Sequence, residues 1–311
     1  IYLIIRFIRS RRHQALLTNL IRINANEIEA FRGYVGHFES GAEFQDHTHD
    51  FATDLELFGE RSLFQHINRT STYAGKNQLA HWLMNLLDRE TDIVSRQQAI
   101  HELEGMLSWR QHFTATGYHL QPDQYRDTQL ISWSKETPTL SRHPLFRTGR
   151  WVLPLVTLGA TGLFIAGILP VGYLLLMLAV NLIVLRRVSG KISGQHQRVT
   201  KQINTLKNYS LLFRHIENQD FKAQALQDLK KRFFSNHHPA SRLIRKLSGI
   251  SDALDNRYNM IAGIVLNLFF LWDLHQVARL EQWHRHYSSH IEDRLAAVGR
   301  LDACLGLCTF S

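Results

Sequence analysis

The sequence has 311 residues, 44% of them hydrophobic and 20% charged, with only six prolines. That balance excludes a disordered tail, leaves room for more than one cored unit, and favours helix. Lys and Arg outnumber Asp and Glu by 36 to 27, and the net charge of +9 points to a polyanionic neighbour, nucleic acid or an anionic lipid surface. Two cysteines, Cys304 and Cys308, are too few for a disulfide framework; their spacing puts them on one helix face, in a part expected in the reducing cytoplasm. The first residue is Ile1 and the last Ser311, with no start or stop signal, so the chain reads as a piece of a longer protein.

In chain order, the apolar run Ile1–Ile8 is followed at once by Arg9, Arg11 and Arg12, the pattern of the cytoplasmic end of a membrane span lying upstream. Residues 1–33 then form an N-terminal helix, with apolar positions at Leu16, Leu17, Leu20, Ile21, Ile23, Ile28 and Phe31. His, Gly, Ser and Asp dominate from Gly33 to Thr53, which predicts a loop, and Asp54–Phe58 alternates as a short strand does. Asn68–Thr72 is a turn and cap cluster. The helix that follows, Ala74 to Leu87, carries Leu79, Trp82, Leu83 and Leu86 on its apolar side. Helices are expected at 91–107, 109–117 and 122–134. Pro138 and Pro144 mark the end of this first part of the core, residues 34–150.

Val152 to Leu185 is a run of 34 residues without a charge, longer than the roughly 20 that one span needs. Pro170 and Gly172 break it in the middle, so residues 151–187 read as a transmembrane hairpin with spans at 152–169 and 171–185. Arg142, Arg147 and Arg150 precede the hairpin and Arg186, Arg187 and Lys191 follow it, which places both ends in the cytoplasm, at an inner membrane. Tyr258–Trp272 is also uncharged, but at 15 residues it is short for a span and reads as a buried core helix.

Beyond the hairpin, residues 188–311 read as lever and core helices. The first of these continues unbroken to about Glu217. At 100° per residue, Arg187, Lys191, Arg198 and Lys201 fall within an arc of about 80°, while Val188, Ile192, Val199, Ile203 and Leu206 cluster some 120° away. One face packs and the other is positive. Residues 186–246 hold fourteen Lys and Arg against three acids, net +11, which exceeds the +9 of the whole chain. The four basic residues are candidate contacts to a DNA backbone or to lipid headgroups. Helices at 239–254, 257–284 and 287–308 close the chain.

Several chemical candidates are set aside. His47, His49 and Asp50 with His37, and His286 and His290 with His284, lack a third ligand at a defined spacing. His101-Glu102 begins a His-Glu-x-x-His string that Gly105 ends, and no Ser/His/Asp order with a nucleophile elbow is present. Neither Gly75-Lys76-Asn77 nor Gly190-Lys191-Ile192 makes a phosphate-cradling loop, so no catalytic, cofactor or metal site is assigned to this chain.

The segment Asp54-Leu-Glu-Leu-Phe-Gly-Glu-Arg-Ser-Leu-Phe-Gln-His-Ile-Asn-Arg-Thr-Ser-Thr-Tyr-Ala-Gly-Lys-Asn-Gln-Leu-Ala-His-Trp-Leu resembles the opening of the core domain of the MutS family of DNA mismatch repair ATPases. Asn68, Thr70 and Thr72 tie down its turn, Gly75 frees the backbone before the helix, and Leu79, Trp82 and Leu83 anchor the packing. Arg96-Gln-Gln-Ala-Ile and Leu301-Asp-Ala-Cys-Leu-Gly-Leu resemble the family's next helix and the end of its lever. Phe58-Gly59-Glu60 spells the mismatch-reading wedge but lies inside the core-opening motif. Leu20-Ile-Arg-Ile-Asn-Ala-Asn-Glu-Ile, Gly41-Ala-Glu-Phe and the hairpin are similar to a membrane-associated bacterial branch of the family.

The resemblance implies a mainly α, MutS-like core and lever domain with an inserted two-span hairpin. It also implies an ATPase domain beyond this chain that would use ATP and Mg²⁺ and form a homodimer, and a lever coupling nucleotide state to double-stranded DNA or a partner. The alternative is a non-enzymatic, membrane-tethered helical scaffold that binds anionic lipid or protein. A transporter fits poorly, because the spans carry no ionisable residue.

Overall fold

The computed structural model describes residues 2–118, 124–137, 144–255 and 260–309. For residues 4, 5, 12, 124, 125, 144, 145, 147, 188–198, 255 and 260–263 it describes the main chain alone. The architecture is mainly α, with thirteen α-helices and one short β-hairpin among the described residues. The helices are α1 (Tyr2–Phe31), α2 (Leu63–Ile67), α3 (Tyr73–Met84), α4 (Glu90–Glu104), α5 (Leu107–Tyr118), α6 (Gln124–Lys135) and α7 (Pro144–Ile165). They continue with α8 (Val171–Glu217), α9 (Gln224–Lys231), α10 (Ala240–Asp255), α11 (Met260–Phe270), α12 (Trp272–Tyr287) and α13 (Ile291–Leu307). Strands β1 (Phe234–Ser235) and β2 (His238–Pro239) pair antiparallel. Asn236 and His237 between them both have positive φ, 49° and 62°, as a two-residue hairpin turn requires.

The chain divides into two compact units, each assembled from separated stretches. The first comprises residues 1–127, 208–241 and 292–311. Its core gathers Phe58, Phe64, Ile67, Leu79 and Ala303, with Trp82 and Leu83 packed at the margin. Helix α1 lies along α5, where Asn19 Nδ2 donates to the carbonyl of Ala115 at 2.9 Å. Helix α4 holds α9 by its N-terminus: the Glu102 carboxylate accepts from the main-chain N–H groups of Lys222 (2.7 Å) and Ala223 (2.5 Å), supplying from outside the cap that α9 lacks. Arg294 of α13 is among the largest fully buried side chains, and its guanidinium donates to Ser235 Oγ at 2.6 Å. Burial pulls its pKa down to about 10, against the opposing pull of Glu217 and Asp293.

The second unit comprises residues 128–207 and 242–291. Phe146, Leu185, Leu254, Leu271, Leu274, Val277 and Ala278 form its apolar cluster. Trp283 Nε1 donates to the Leu243 carbonyl at 2.9 Å, and the His284 ring bonds the Trp133 carbonyl at 2.8 Å. Helix α7 ends at a left-handed Gly167, φ 73°, and Pro170 precedes α8, so the turn falls where the sequence breaks. Asn181 Nδ2 of α8 donates to Thr157 Oγ1 of α7 at 2.9 Å, which ties the two helices together beyond that turn. By length and composition, Thr148–Ile165 of α7 is apolar enough to cross a membrane.

Several expectations need correction. Asp54–Phe58 is a series of turns and not a strand, because Glu56 takes a positive φ of 47° and Leu57 N–H turns back to the Ala52 carbonyl. The helix after Thr72 stops at Met84, so Leu86 lies beyond it and is exposed. The helix expected at 257–284 is two helices, parted by Leu271 in a left-handed conformation, φ 48°. The described part of the uncharged run, Met260–Trp272, is not a buried core helix: Ile264, Val265, Leu266 and Phe270 are exposed. Pro138 and Tyr258 lie outside the described residues.

The C-terminal end of α8 offers a direct check on the packing. Leu212 is fully buried while its neighbour Leu211 is 38% exposed. Leu212→Ala should cost about 2–5 kcal/mol and Leu211→Ala under about 1 kcal/mol, read from urea unfolding midpoints.

Candidate functional site: a buried aspartate clamp and a basic helix

The turn at Asn68 is built by short-range side-chain bonds. Asn68 Oδ1 accepts from Thr70 N–H (3.1 Å) and Thr70 Oγ1 (2.6 Å), and Asn68 Nδ2 donates to the Glu39 carbonyl at 3.3 Å. Thr72 is the N-cap of α3, its Oγ1 accepting from Gly75 N–H at 3.0 Å. The same hydroxyl donates to Asp302 Oδ2 of α13 at 2.7 Å. Asp302 also accepts from Thr72 N–H (2.8 Å), from Ser71 N–H (2.9 Å to Oδ2) and from Ser71 Oγ (3.3 Å). Segments 230 residues apart therefore close on one carboxylate that is 0% exposed.

Gly75 works differently from the sequence expectation. It lies inside α3 with no positive φ, and a Cβ there would overlap the Asp302 carboxylate, so its role is close approach. Gly299, one turn before Asp302, has the same role: an added Cβ would come within 2.7 Å of the Ala74 carbonyl oxygen. Helix α13 thus lays a small face, Gly299, Ala303 and Gly306, against residues 67–79 and inserts one carboxylate between.

Trp82 is half-buried against the apolar cluster, with the Arg96 guanidinium 4.0 Å from its ring centroid. The pair lines a groove of about 680 Å³ together with Gln78, His81, Arg300 and Cys304. Burial pushes the Cys304 thiol up to about 12 and the Cys308 thiol to about 11, which makes both poor nucleophiles. Phe58 is buried in the cluster, away from any wedge role.

On α8, Ile203 and Leu206 are buried while Arg187 and Lys201 are exposed. Lys191 and Arg198 lie on the same helix, but their side chains are outside the described residues. The histidines set aside on sequence grounds have local partners: His37 pairs with Glu29, His49 bonds the Met84 carbonyl, and His286 bonds the Gln282 carbonyl of its own helix. Among the described residues, no group of three or more His, Cys, Asp or Glu side chains is placed to hold a metal ion. Sequence reasoning named Asn68, Thr70, Thr72, Gly75 and Trp82 but missed Asp302 and Ser71. The signal was there, since an Asp among Leu, Ala and Cys inside an apolar helix needs a partner. Compared with known protein families, characterised proteins and solved structures, the chain finds no match.

Burial outweighs the donors around Asp302 and pushes its pKa from 3.8 up to about 6. The folded chain therefore binds a proton that the unfolded chain has released between those values. Stability from this residue is fully present below about pH 3.8 and is lost as pH rises through 6, by on the order of 3 kcal/mol. Asp302→Asn should flatten that window in a series of unfolding midpoints taken from pH 4 to pH 7. A slope unchanged by the substitution would show that the carboxylate does not titrate there.

Proposed function

We propose that the chain is the core and lever part of a membrane-anchored, MutS-like ATPase. In this reading, α7 and the apolar start of α8 cross the cytoplasmic membrane as a hairpin with both ends in the cytoplasm. Helix α8 and the core built around α13 carry motion between an ATPase domain outside this chain and the site that grips DNA or a partner. ATP and Mg²⁺ would bind in that further domain, which would also supply the homodimer contact.

The observation that carries the reading is the Asp302 clamp. The two segments that resemble the ends of the family's core and lever, Asn68–Gly75 and Leu301–Leu307, are remote in sequence and yet form one buried contact. A mechanical coupling element needs such a closed joint, because an open one would absorb motion instead of passing it on. The one helix among the described residues that is long and apolar enough to cross a membrane, α7, and the exposed Arg187 that follows Leu185 support the membrane part of the reading.

The basic face separates two partners by position. Arg187 and Lys191 lie within two turns of Leu185, at headgroup level, whereas Lys201 is about 24 Å farther along the helix, beyond a Debye length of roughly 8 Å. Arg187→Gln and Lys191→Gln should each weaken association of the detergent-released protein with anionic liposomes by about 1 kcal/mol, and Lys201→Gln should not. Duplex binding, followed by fluorescence anisotropy across a salt series, should instead lose about 0.9 of log–log slope in Lys201→Gln. Absence of duplex binding at low salt, with lipid effects at all four basic positions, would favour a lipid-binding scaffold.

The absence of a phosphate-cradling loop generates a second expectation. Titrating ATP and Mg²⁺ into this chain in a calorimeter should give no saturable heat. Saturable binding would place a nucleotide site within these 311 residues and overturn the division of labour.

A further inference from the structure

The first unit carries two surface features that its own residues leave without partners. One is the groove lined by Trp82 of α3 and Arg96 of α4. Its floor is apolar, with Ala99, Leu226 and Cys304 buried, and Leu86 stands 72% exposed at its edge. Two guanidinium groups line it, Arg96 against the Trp82 ring and Arg300 exposed on α13, and neither forms an ion pair among the described residues. The other charges of the groove are engaged or distant: Arg232 pairs with Asp293 and Asp228 with Lys231, while Asp92 acts on Arg96 only beyond ion-pair distance. A guanidinium already steadied by an aromatic ring presents a planar fork that suits a carboxylate.

The second feature is the turn at 53–56. Leu55 is 62% exposed and is flanked by Asp54 and Glu56, both exposed. The turn is held in shape by main-chain bonds from Leu55 N–H to the Phe51 carbonyl (3.0 Å), from Glu56 N–H to Thr53 (3.1 Å) and from Leu57 N–H to Ala52 (3.0 Å), and Leu57 and Phe58 anchor it in the core. Glu56 has a φ of 47°, a conformation that Gly or Asn adopts at lower cost, so the turn itself supplies no reason for a carboxylate there. The side chains of Asp54 and Glu56 make no hydrogen bond or ion pair among the described residues. An exposed leucine between two free acids complements an apolar groove that carries two free arginines.

Both features belong to one unit and are linked within it. His49 Nε2 bonds the Met84 carbonyl at 3.2 Å, and Phe51 and Trp82 pack against the same apolar cluster, so the loop that bears the turn is tied to the helix that borders the groove. A surface that carries both a projection and its complement pairs with itself about a two-fold axis. We propose that two copies of this chain associate by exchanging these features, Leu55 of each copy entering the groove of the other with Asp54 and Glu56 against Arg96 and Arg300. This contact is separate from the one assigned above to a further domain, and it requires neither a membrane nor a nucleotide.

Sedimentation velocity on the whole chain should show a monomer–dimer equilibrium that weakens as salt is raised. Arg300→Glu and Glu56→Arg, both at exposed positions, should each weaken dimerisation by about tenfold or more, because each sets like charges against one another. The two variants mixed in equal amounts should regain most of the lost affinity, since both contacts of the mixed pair again join acid to base, and the regain shows that both variants fold. A chain that stays monomeric at every concentration and salt tested would overturn the proposal. Dimerisation that either reversal leaves unaltered would also overturn it, by placing the contact elsewhere on the chain. A mixture that associates no more strongly than the separate variants would overturn the pairing of turn with groove.

Discussion

The carboxylate of Asp302 has no access to water and takes its solvation from the main chain and hydroxyls of Ser71 and Thr72. That constraint dictates much of what surrounds it. Residue 75 must lack a side chain, residue 299 must let two backbones approach, and Thr72 must both cap α3 and serve the acid. Removing the acid would strand several buried donors at once, and the cost of unsatisfied donors exceeds that of a lost hydrogen bond. The core of the first unit is therefore specified by a polar contact as much as by its aromatic cluster.

Much of this was legible in the sequence. Long helices with strong punctuation were clear: α8 runs to Glu217 as its periodicity predicts, and the break at Pro170 lies where composition puts it. The turn residues Asn68, Thr70 and Thr72 announced themselves because short polar side chains before an apolar run have few other uses. What was not legible depended on contacts distant in sequence. The alternation at Asp54–Phe58 mimicked a strand, but no partner strand exists for it among the described residues, and Leu57 and Phe58 fold onto the aromatic cluster while Leu55 stays exposed. Gly75 looked like a hinge because the residue that it accommodates lies 227 positions away. The left-handed Leu271 had no local signal, since a β-region or helical leucine is cheaper and only tertiary packing selects the alternative.

The two units differ in what stabilises them. The first is a mixed core in which charged groups are buried with partners, Arg294 with Ser235 and Asp127 with the Tyr209 hydroxyl, while the half-buried Glu102 caps the start of α9. The second has an apolar cluster at its root and leaves the helices that project from it bare. Within this unit, exposed apolar side chains concentrate on α7, on the start of α8 and on α11.

The joint between α3 and α13 also bears on how the chain is made. Residues 63–84 leave the ribosome long before α13 exists; at roughly 5–20 residues per second the delay is on the order of 10–50 s. During that interval Phe64 and Leu79 have no Ala303 to rest on, and the turn that will receive Asp302 has nothing to bind. The apolar helices α7 and α8 emerge in the meantime. Assembly of the first unit is thus a sequence of commitments in which the turn and the cap of α3 form first and the core, waiting for its final helix, closes last.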